Sequence, residues 1–311
     1  MSHLTILKKN EVYLQIDSDP HVFYELSDQF TFELPGAKFM PQYRKRYWDG
    51  KIRLFNVNNG QIYVGLLDKV QKFCKDHEYS YSFVDNEYYG TPFEVNEHIS
   101  YEGVKDYITS ISKYAPRDYQ IEGVYDALRH NRKLLISPTA SGKSLMIYSI
   151  VRYYVERGEN TLIVVPTTSL VEQMYKDFAD YGWDVGSFCH KIYAGKERET
   201  DSQVIITTWQ SIYKLPRKYF ERFSVVIGDE AHQFKSKSLI SIMTKLDHAK
   251  YRFGFTGTLD GTQTHKWVLE GLFGPSYKII GTKDLMTKGH VAKLDINILL
   301  LKHPPQKFET F

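Results

Sequence analysis

Ser137-Pro138-Thr139-Ala140-Ser141-Gly142-Lys143-Ser144 is the stretch on which the reading of this chain turns. It follows the apolar run Leu134-Leu135-Ile136 and precedes apolar residues at helical spacing: Leu145, Ile147, Tyr148, Ile150, Val151 and Tyr154. A strand, a small-residue loop and a helix opening at Lys-Ser form the context of a phosphate-binding loop. Successive backbone N–H groups of such a loop point into one concavity, and the start of the next helix adds partial positive charge. Thr139, Ala140, Ser141, Gly142, Lys143 and Ser144 are therefore candidate polyphosphate contacts. Lys143 would reach the β and γ phosphates as a mobile point charge, and the Ser144 hydroxyl would ligate Mg²⁺. The pattern departs from the usual one at its first position, where Ser137 stands in place of Gly. A Gly-Lys-Ser at a helix start also occurs without a ligand, so the rest of the chain has to decide.

The decision comes from Asp229-Glu230-Ala231-His232, directly after Ser224-Val225-Val226-Ile227-Gly228. A buried strand ending in two acids places them at the carboxyl edge of a sheet, where open α/β sheets bind ligands. Asp229 would share the Mg²⁺ with Ser144, and Glu230 would orient and deprotonate a water attacking the γ-phosphate. Two solvated acids capping a helix are the plain alternative for Asp-Glu taken alone. Thr256-Gly257-Thr258 follows the next strand, Arg252–Phe255. Thr256 and Thr258 would sit beside His232, forming a relay that senses the state of the phosphate. Taken alone, His232 reads as a satisfied structural histidine.

The remainder of the chain suits this organisation. A length of 311 residues accommodates two domains, and 42% hydrophobic with 25% charged residues is ordinary for a globular protein. The net charge of +3 is too small to imply a nucleic-acid partner, so local clustering must carry that argument. No run reaches the length of a membrane span, and the start has no secretory h-region. Cys74 and Cys189 lie far apart without partners at ligand spacing, which predicts neither a disulfide nor a zinc site.

Residues 1–96 read as a small α+β domain. Val12–Ile16 alternates like a strand, Val22, Phe23, Leu26 and Phe30 fall at helical spacing, and Lys51–Val57 with Gln61–Leu66 predicts a hairpin or three-stranded meander. Leu67, Val70, Phe73 and Cys74 mark a helix, and Tyr79–Val84 a closing strand. Pattern breaks down around Gly90–His98, and 97–113 reads as a linker with a helix. From 114 to 285, Lys133–Ile136, Thr161–Val165, Val204–Thr207, Val225–Gly228 and Arg252–Phe255 alternate with helical segments. That predicts an α/β fold with a parallel sheet covered by helices on both faces. Residues 286–311 read as a connector.

The motifs, in this order, resemble motifs I, II and III of superfamily 2 helicases. Arg117-Asp118-Tyr119-Gln120 resembles the upstream adenine-reading motif of that family, with Gln120 implied as the base contact and Arg117 or Tyr119 packing nearby. Val165-Pro166-Thr167-Thr168-Ser169-Leu170 with Gln173 resembles motif Ia, and Thr207-Thr208-Trp209-Gln210-Ser211 resembles motif Ib. The resemblance implies nucleic-acid contacts at Pro166, Thr167, Thr168, Gln173, Thr208, Trp209 and Gln210. It further implies a RecA-like ATP-binding motor domain that is completed by a second RecA-like domain bearing arginine fingers. No motif of that arginine-bearing kind follows Thr258, so a second domain in cis is expected, with slow ATP hydrolysis in its absence.

Lys38-Phe39 and Tyr43-Arg44-Lys45-Arg46-Tyr47-Trp48-Asp49-Gly50-Lys51-Ile52-Arg53 resemble the accessory domain of UvsW-type phage helicases, which remodel branched DNA. Arg44, Lys45, Arg46, Trp48 and Lys51 are the candidate DNA contacts, the cations meeting phosphates while the interleaved Tyr43, Tyr47 and Trp48 could stack on exposed bases. A hairpin with aromatics in its core and solvated cations predicts the same pattern. The expected partner is forked or branched DNA, and the expected location is the cytoplasm, the host's if the chain is phage-encoded. An RNA-directed motor of the same superfamily and a non-catalytic, nucleotide-switched binding module are the alternatives.

Overall fold

The computed structural model describes residues 2–92, 94–195, 200–233, 236–257, 259, 263–289 and 292. Thr258 and almost all of the expected connector, including 293–311, lie outside the described residues.

The N-terminal part holds strands β1 (His3–Lys8), β2 (Tyr13–Asp17), β3 (Thr31–Glu33), β4 (Lys51–Arg53), β5 (Phe55–Asn56), β6 (Gln61–Tyr63) and β7 (Ser80–Val84). Five of them form one sheet in the order β5-β6-β2-β1-β7, while β3 and β4 pair as a separate ribbon. Helices Pro20–Gln29 and Leu67–Asp76 cover it, burying Val22 and Leu26 from one and Val70, Phe73 and Cys74 from the other. Of the hairpin or three-stranded meander expected over 51–66, the hairpin forms, between β5 and β6, and the three-stranded meander does not. Leu54 and Phe55 are both buried, and two successive inward residues break strand alternation. The segment therefore splits there, β4 pairing back to β3 and β5 pairing with β6, and Val64–Leu66 forms a 3₁₀ turn.

The second sheet holds β8 (Arg132–Ile136), β9 (Thr161–Val165), β10 (Cys189–Ile192), β11 (Val204–Thr208), β12 (Val225–Gly228), β13 (Tyr251–Thr256) and β14 (Ser276–Lys278). These seven strands run in the order β10-β11-β9-β12-β13-β8-β14, every pairing parallel. β9, β11 and β12 are buried along their whole length, as apolar strands sandwiched between helix layers must be. Edge strands β10 and β14 are half-exposed and were not legible as apolar runs.

The two sheets do not stand apart. One cluster of buried side chains runs from Leu4, Phe30 and Leu66 to Leu134, Leu269 and Phe273. Its hinge piece is the helix Gln263–Phe273, whose Trp267 ring lies 5.3 Å from Phe30 and 5.0 Å from Phe32. Backbones meet there as well: a Cβ on Gly65 would lie 2.0 Å from the Glu270 carbonyl oxygen. Beside the cluster, Lys8 and Arg132 share the buried Glu11 carboxylate at 2.8 and 2.7 Å. Burial lowers the pKa of both cations, and Glu11 opposes that effect.

Candidate nucleotide site and nucleic-acid surfaces

Parallel pairing sends every strand's carboxyl end to one edge. Ile136, Val165, Thr208, Gly228 and Thr256 end there, so the segments Ser137–Ser144, Pro166–Thr168, Asp229–His232 and the residues after Thr208 gather along it. Register sets the finer spacing. Gly228 stands opposite Gly254, so the turn after β12 emerges beside Thr256.

The phosphate loop is held from beneath. Ser137 N–H donates to the Thr256 carbonyl at 2.9 Å, and the Ser137 hydroxyl donates to Ser141 Oγ at 2.6 Å, both serines being fully buried. The departure from Gly at 137 thus supplies a cross-brace to the loop. Ala140 (φ 66°) and Gly142 (φ 78°) take left-handed backbone, which turns successive N–H groups toward one side. A Cβ at Gly142 would lie 2.2 Å from Gln120 Nε2, so only glycine fits.

Gln120, expected as the base contact, sits against the phosphate loop. Its amide donates to the Ser141 and Gly142 carbonyls at 2.9 and 3.3 Å, and its Oε1 accepts the Arg117 N–H at 2.9 Å. Tyr119 also donates to the Ser141 carbonyl, at 2.9 Å, and Arg117 donates to the Tyr119 hydroxyl at 2.7 Å. Arg117, Tyr119 and Gln120 together prop the loop, because a buried carbonyl must find a donor.

Thr139, Ala140, Gly142, Lys143, Ser144, Asp229 and Glu230 line one cleft of about 280 Å³. Lys143 Nζ pairs with the Glu230 carboxylate. Asp229 is 7% exposed, and burial pushes its carboxyl up to about 6, with Lys143 pulling it down and Glu230 pushing it up. Asp229 Oδ1 accepts the Glu230 N–H at 2.9 Å, which supports Glu230 in its left-handed conformation (φ 49°). His232 Nδ1 lies 2.7 Å from Thr256 Oγ1 and 3.4 Å from Glu230 Oε2, so the expected His232–Thr256 contact is present in the structure. Ser144 Oγ lies 2.7 Å from the Tyr181 hydroxyl, a contact between residues too far apart in sequence to be read from it.

Motif Ia divides between two surfaces. Thr167 and Thr168 are exposed at the start of the helix Thr168–Asp180, where Thr167 Oγ1 accepts the Leu170 N–H at 3.4 Å. Gln173, expected as a nucleic-acid contact, lines the cleft beside the phosphate loop with Leu170, Met174 and Asp177. Spacing of three, four and seven residues puts these on one helix face, turned toward the phosphate loop. Gln210 Nε2 donates to the Pro166 carbonyl at 3.3 Å, which ties motif Ib to motif Ia. Thr208 is buried with its hydroxyl 2.9 Å from Ser211 Oγ, and Trp209 is half-buried, edge-on to Tyr213.

Over Lys38–Arg53 the aromatics divide, Tyr43 and Trp48 being partly buried while Phe39 and Tyr47 face solvent. Phe39 is 78% and Tyr47 82% exposed. Trp48 is an anchor, its indole N–H donating to the Lys51 carbonyl at 2.9 Å. Arg44, Lys45, Arg46 and Lys51 are exposed. Arg53 pairs with Asp49, whose carboxyl the guanidinium holds down to about 2. Phe39 was read as part of the resemblance but not as a candidate DNA contact, because nothing in an apolar letter marks it as solvent-facing.

Cys74 and Cys189 are both buried and unpaired, and burial pushes their thiols up to about 11 and 12. Among the described residues, no helix is long and apolar enough to cross a membrane.

Known proteins share this arrangement. Residues 5–85 match the family described as DNA helicase UvsW, N-terminal, and residues 113–261 the family described as type III restriction enzyme, res subunit. The ATP-dependent DNA helicase uvsW of Enterobacteria phage T4 is 32% identical over 305 residues, covering 94% of this chain and 59% of that protein. The crystal structure of the UvsW helicase from bacteriophage T4 aligns with a TM-score of 0.79 at 31% identity, over 89% of this chain and 99% of the solved one. The DNA 3'-5' translocase XPB2 of Sulfurisphaera tokodaii is 31% identical over 187 residues, covering 59% of this chain and 39% of that protein. With both sheets matched in one continuous alignment, the chain belongs to the UvsW family of superfamily 2 helicases.

Proposed function

We propose that this chain forms the nucleotide-binding part of an ATP-dependent DNA helicase or translocase that remodels branched DNA, such as forks and junctions. The observation that carries the reading is the convergence of Lys143, Asp229, Glu230 and the His232–Thr256 pair around one strand edge. Incoming phosphates compete with the Glu230 carboxylate for Lys143. Once Lys143 turns to the β and γ phosphates, Glu230 is released to orient and deprotonate the attacking water. His232, beside Glu230 and bonded to Thr256, passes that change to β13.

The oxygen donors fit Mg²⁺. The Ser144 hydroxyl and the Asp229 carboxylate line the same cleft, and Asp229 is a buried carboxylate whose neighbouring cation, Lys143, is engaged by Glu230. Ser144 and Asp229 would hold the ion, which when bound neutralises charge on the phosphate oxygens. Among the described residues lining the cleft none is an arginine. A second RecA-like lobe is proposed to supply one, a contribution of about 10³–10⁵ in rate in phosphoryl-transfer enzymes.

The exposed Thr167 and Thr168, with Pro166, Thr208, Trp209 and Gln210 beside them, are proposed to follow the phosphates of one strand. Arg44, Lys45, Arg46 and Lys51 would grip phosphates at the branch. The DNA assignment leans on the T4 relative, itself a DNA helicase. Glu230→Gln in the full-length protein tests the motor reading. ATP hydrolysis should fall by about 10²-fold or more while DNA binding persists. Undiminished remodelling of forked DNA by that variant would mean that ATP serves only as a switch.

A further inference from the structure

We infer that Phe39 and Tyr47 are a pair of base platforms, so that the N-terminal ribbon recognises unpaired bases at a DNA branch rather than duplex. The inference rests on the DNA-directed reading above and adds to it which part of the DNA this surface reads.

The segment between β3 and β4 is rigid where it is buried and open where it is not. Tyr43 packs against Gly50, where an added Cβ would lie 3.1 Å from the tyrosine ring. Trp48 is tied to the Lys51 carbonyl. A left-handed Arg46 (φ 58°) closes the turn, with its N–H on the Tyr43 carbonyl at 2.9 Å and the Tyr47 N–H on the Gln42 carbonyl at 3.0 Å. Two aromatic rings, Tyr43 and Trp48, thus hold the scaffold in place.

The Phe39 and Tyr47 rings stand outside that scaffold, although the Tyr47 backbone helps to close the turn. Two open grooves of about 630 and 390 Å³ share Lys38, Tyr43 and Asp49 as their common wall. Tyr47 lines the first, which Trp48 also borders, and Phe39 lines the second, so each groove has one largely exposed ring of its own. Both rings are more than three-quarters exposed. A scattered exposed ring needs no explanation. Paired rings lining adjoining grooves, among cations, do.

The charge around them fits a polyanion. Lys38, Arg44, Lys45, Arg46 and Lys51 have no side-chain hydrogen bond or ion pair among the described residues, whereas Arg53 already holds Asp49, the carboxylate in both grooves. An aromatic face accepts any base with little regard to sequence, and cations beside it hold the backbone. In intact duplex the base faces are already stacked on one another, so two lone rings gain nothing from them. Unpaired bases at a fork or junction have free faces. Accordingly the cations serve every form of DNA, and the rings serve only the unpaired part.

Three proteins separate these roles: the full chain, Phe39→Ala with Tyr47→Ala, and Arg44→Ala with Arg46→Ala. Each is titrated by fluorescence with a fork bearing 2-aminopurine in its unpaired arm, and by anisotropy with single-stranded DNA and blunt duplex, across a salt series. All four substituted side chains are half-exposed or more, so circular dichroism and melting should be unchanged. The aromatic variant should lose about 5- to 150-fold in fork affinity per ring engaged, lose the 2-aminopurine signal, and keep its duplex affinity and salt slope. The arginine variant should weaken on all three ligands and flatten the salt slope by about 2. Fork affinity and 2-aminopurine signal unchanged in the aromatic variant would overturn the base platforms while leaving DNA binding intact. An equal loss on duplex would overturn them too. Failure of the unsubstituted chain to bind any of the three DNAs would instead remove the underlying reading.

Discussion

Among single residues, Asp229 is the most informative, because its burial is costly without a cation. Its pKa stands near 6 when folded, against an ordinary 3.8. The folded state therefore holds this proton more tightly, and stability is lost as pH rises from about 4 through 6. Two pKa units correspond to roughly 3 kcal/mol. Asp229→Asn removes the titration. Without nucleotide, this variant should resist urea better than the unsubstituted protein at pH 7.5, and the gap should narrow toward pH 4. A gap independent of pH would show that the carboxyl is not shifted. Arg252 offers a second residue-scale test. It is fully buried and donates to the carbonyls of Leu272, Leu246 and Met243 at 2.8–2.9 Å, with no carboxylate hydrogen-bonded to it among the described residues. Replacing it by Met leaves those carbonyls without donors at about 1–3 kcal/mol each. Urea unfolding of Arg252→Met should show a loss of several kcal/mol, and a loss below about 1 kcal/mol would mean that water replaces the guanidinium.

Elements were legible to the degree that their residues face one environment throughout. The strands β9, β11 and β12 are buried end to end, so their apolar runs announced a covered parallel sheet before any coordinates. β14 is three residues long, and β10 carries His190 and Lys191 at its centre, so neither offered a run to detect. The phosphate loop and the paired acids were legible because their chemistry is local in sequence. Gln120 beneath the loop, Tyr181 on Ser144 and Gln173 in the cleft depend on contacts across tens of residues, which spacing does not encode. The helix Gln263–Phe273 was invisible as a joint for the same reason. Trp267→Ala should remove about 3–5 kcal/mol from unfolding stability, the usual cost of deleting a buried large aromatic ring. Gly65→Val should be as harmful, since its side chain would meet the Glu270 backbone. Both are read by urea titration, and near-neutral results would mean that the two sheets part without penalty.

For the whole molecule, a single buried cluster shared by two sheets predicts one unfolding event rather than two. Near-ultraviolet dichroism of the aromatic side chains, which stand in both parts, and far-ultraviolet dichroism of the helices should give the same urea midpoint. Separated midpoints would show that the sheets fold independently. The net charge of +3 is modest, so attraction to DNA must come from where the cations stand, as on Lys38–Lys51. Geometry adds a consequence. The helix Gln263–Phe273 starts seven residues after Thr256, the partner of His232, and its Trp267 is wedged against Phe32 on β3, whose partner β4 begins at Lys51. Under the function proposed above, the N-terminal part would act as a lever arm with a short inner end at the phosphate loop and a long outer end at Phe39 and Tyr47. A small tilt of one helix, repeated at each ATP turnover, would become a much larger sweep of the aromatic tips.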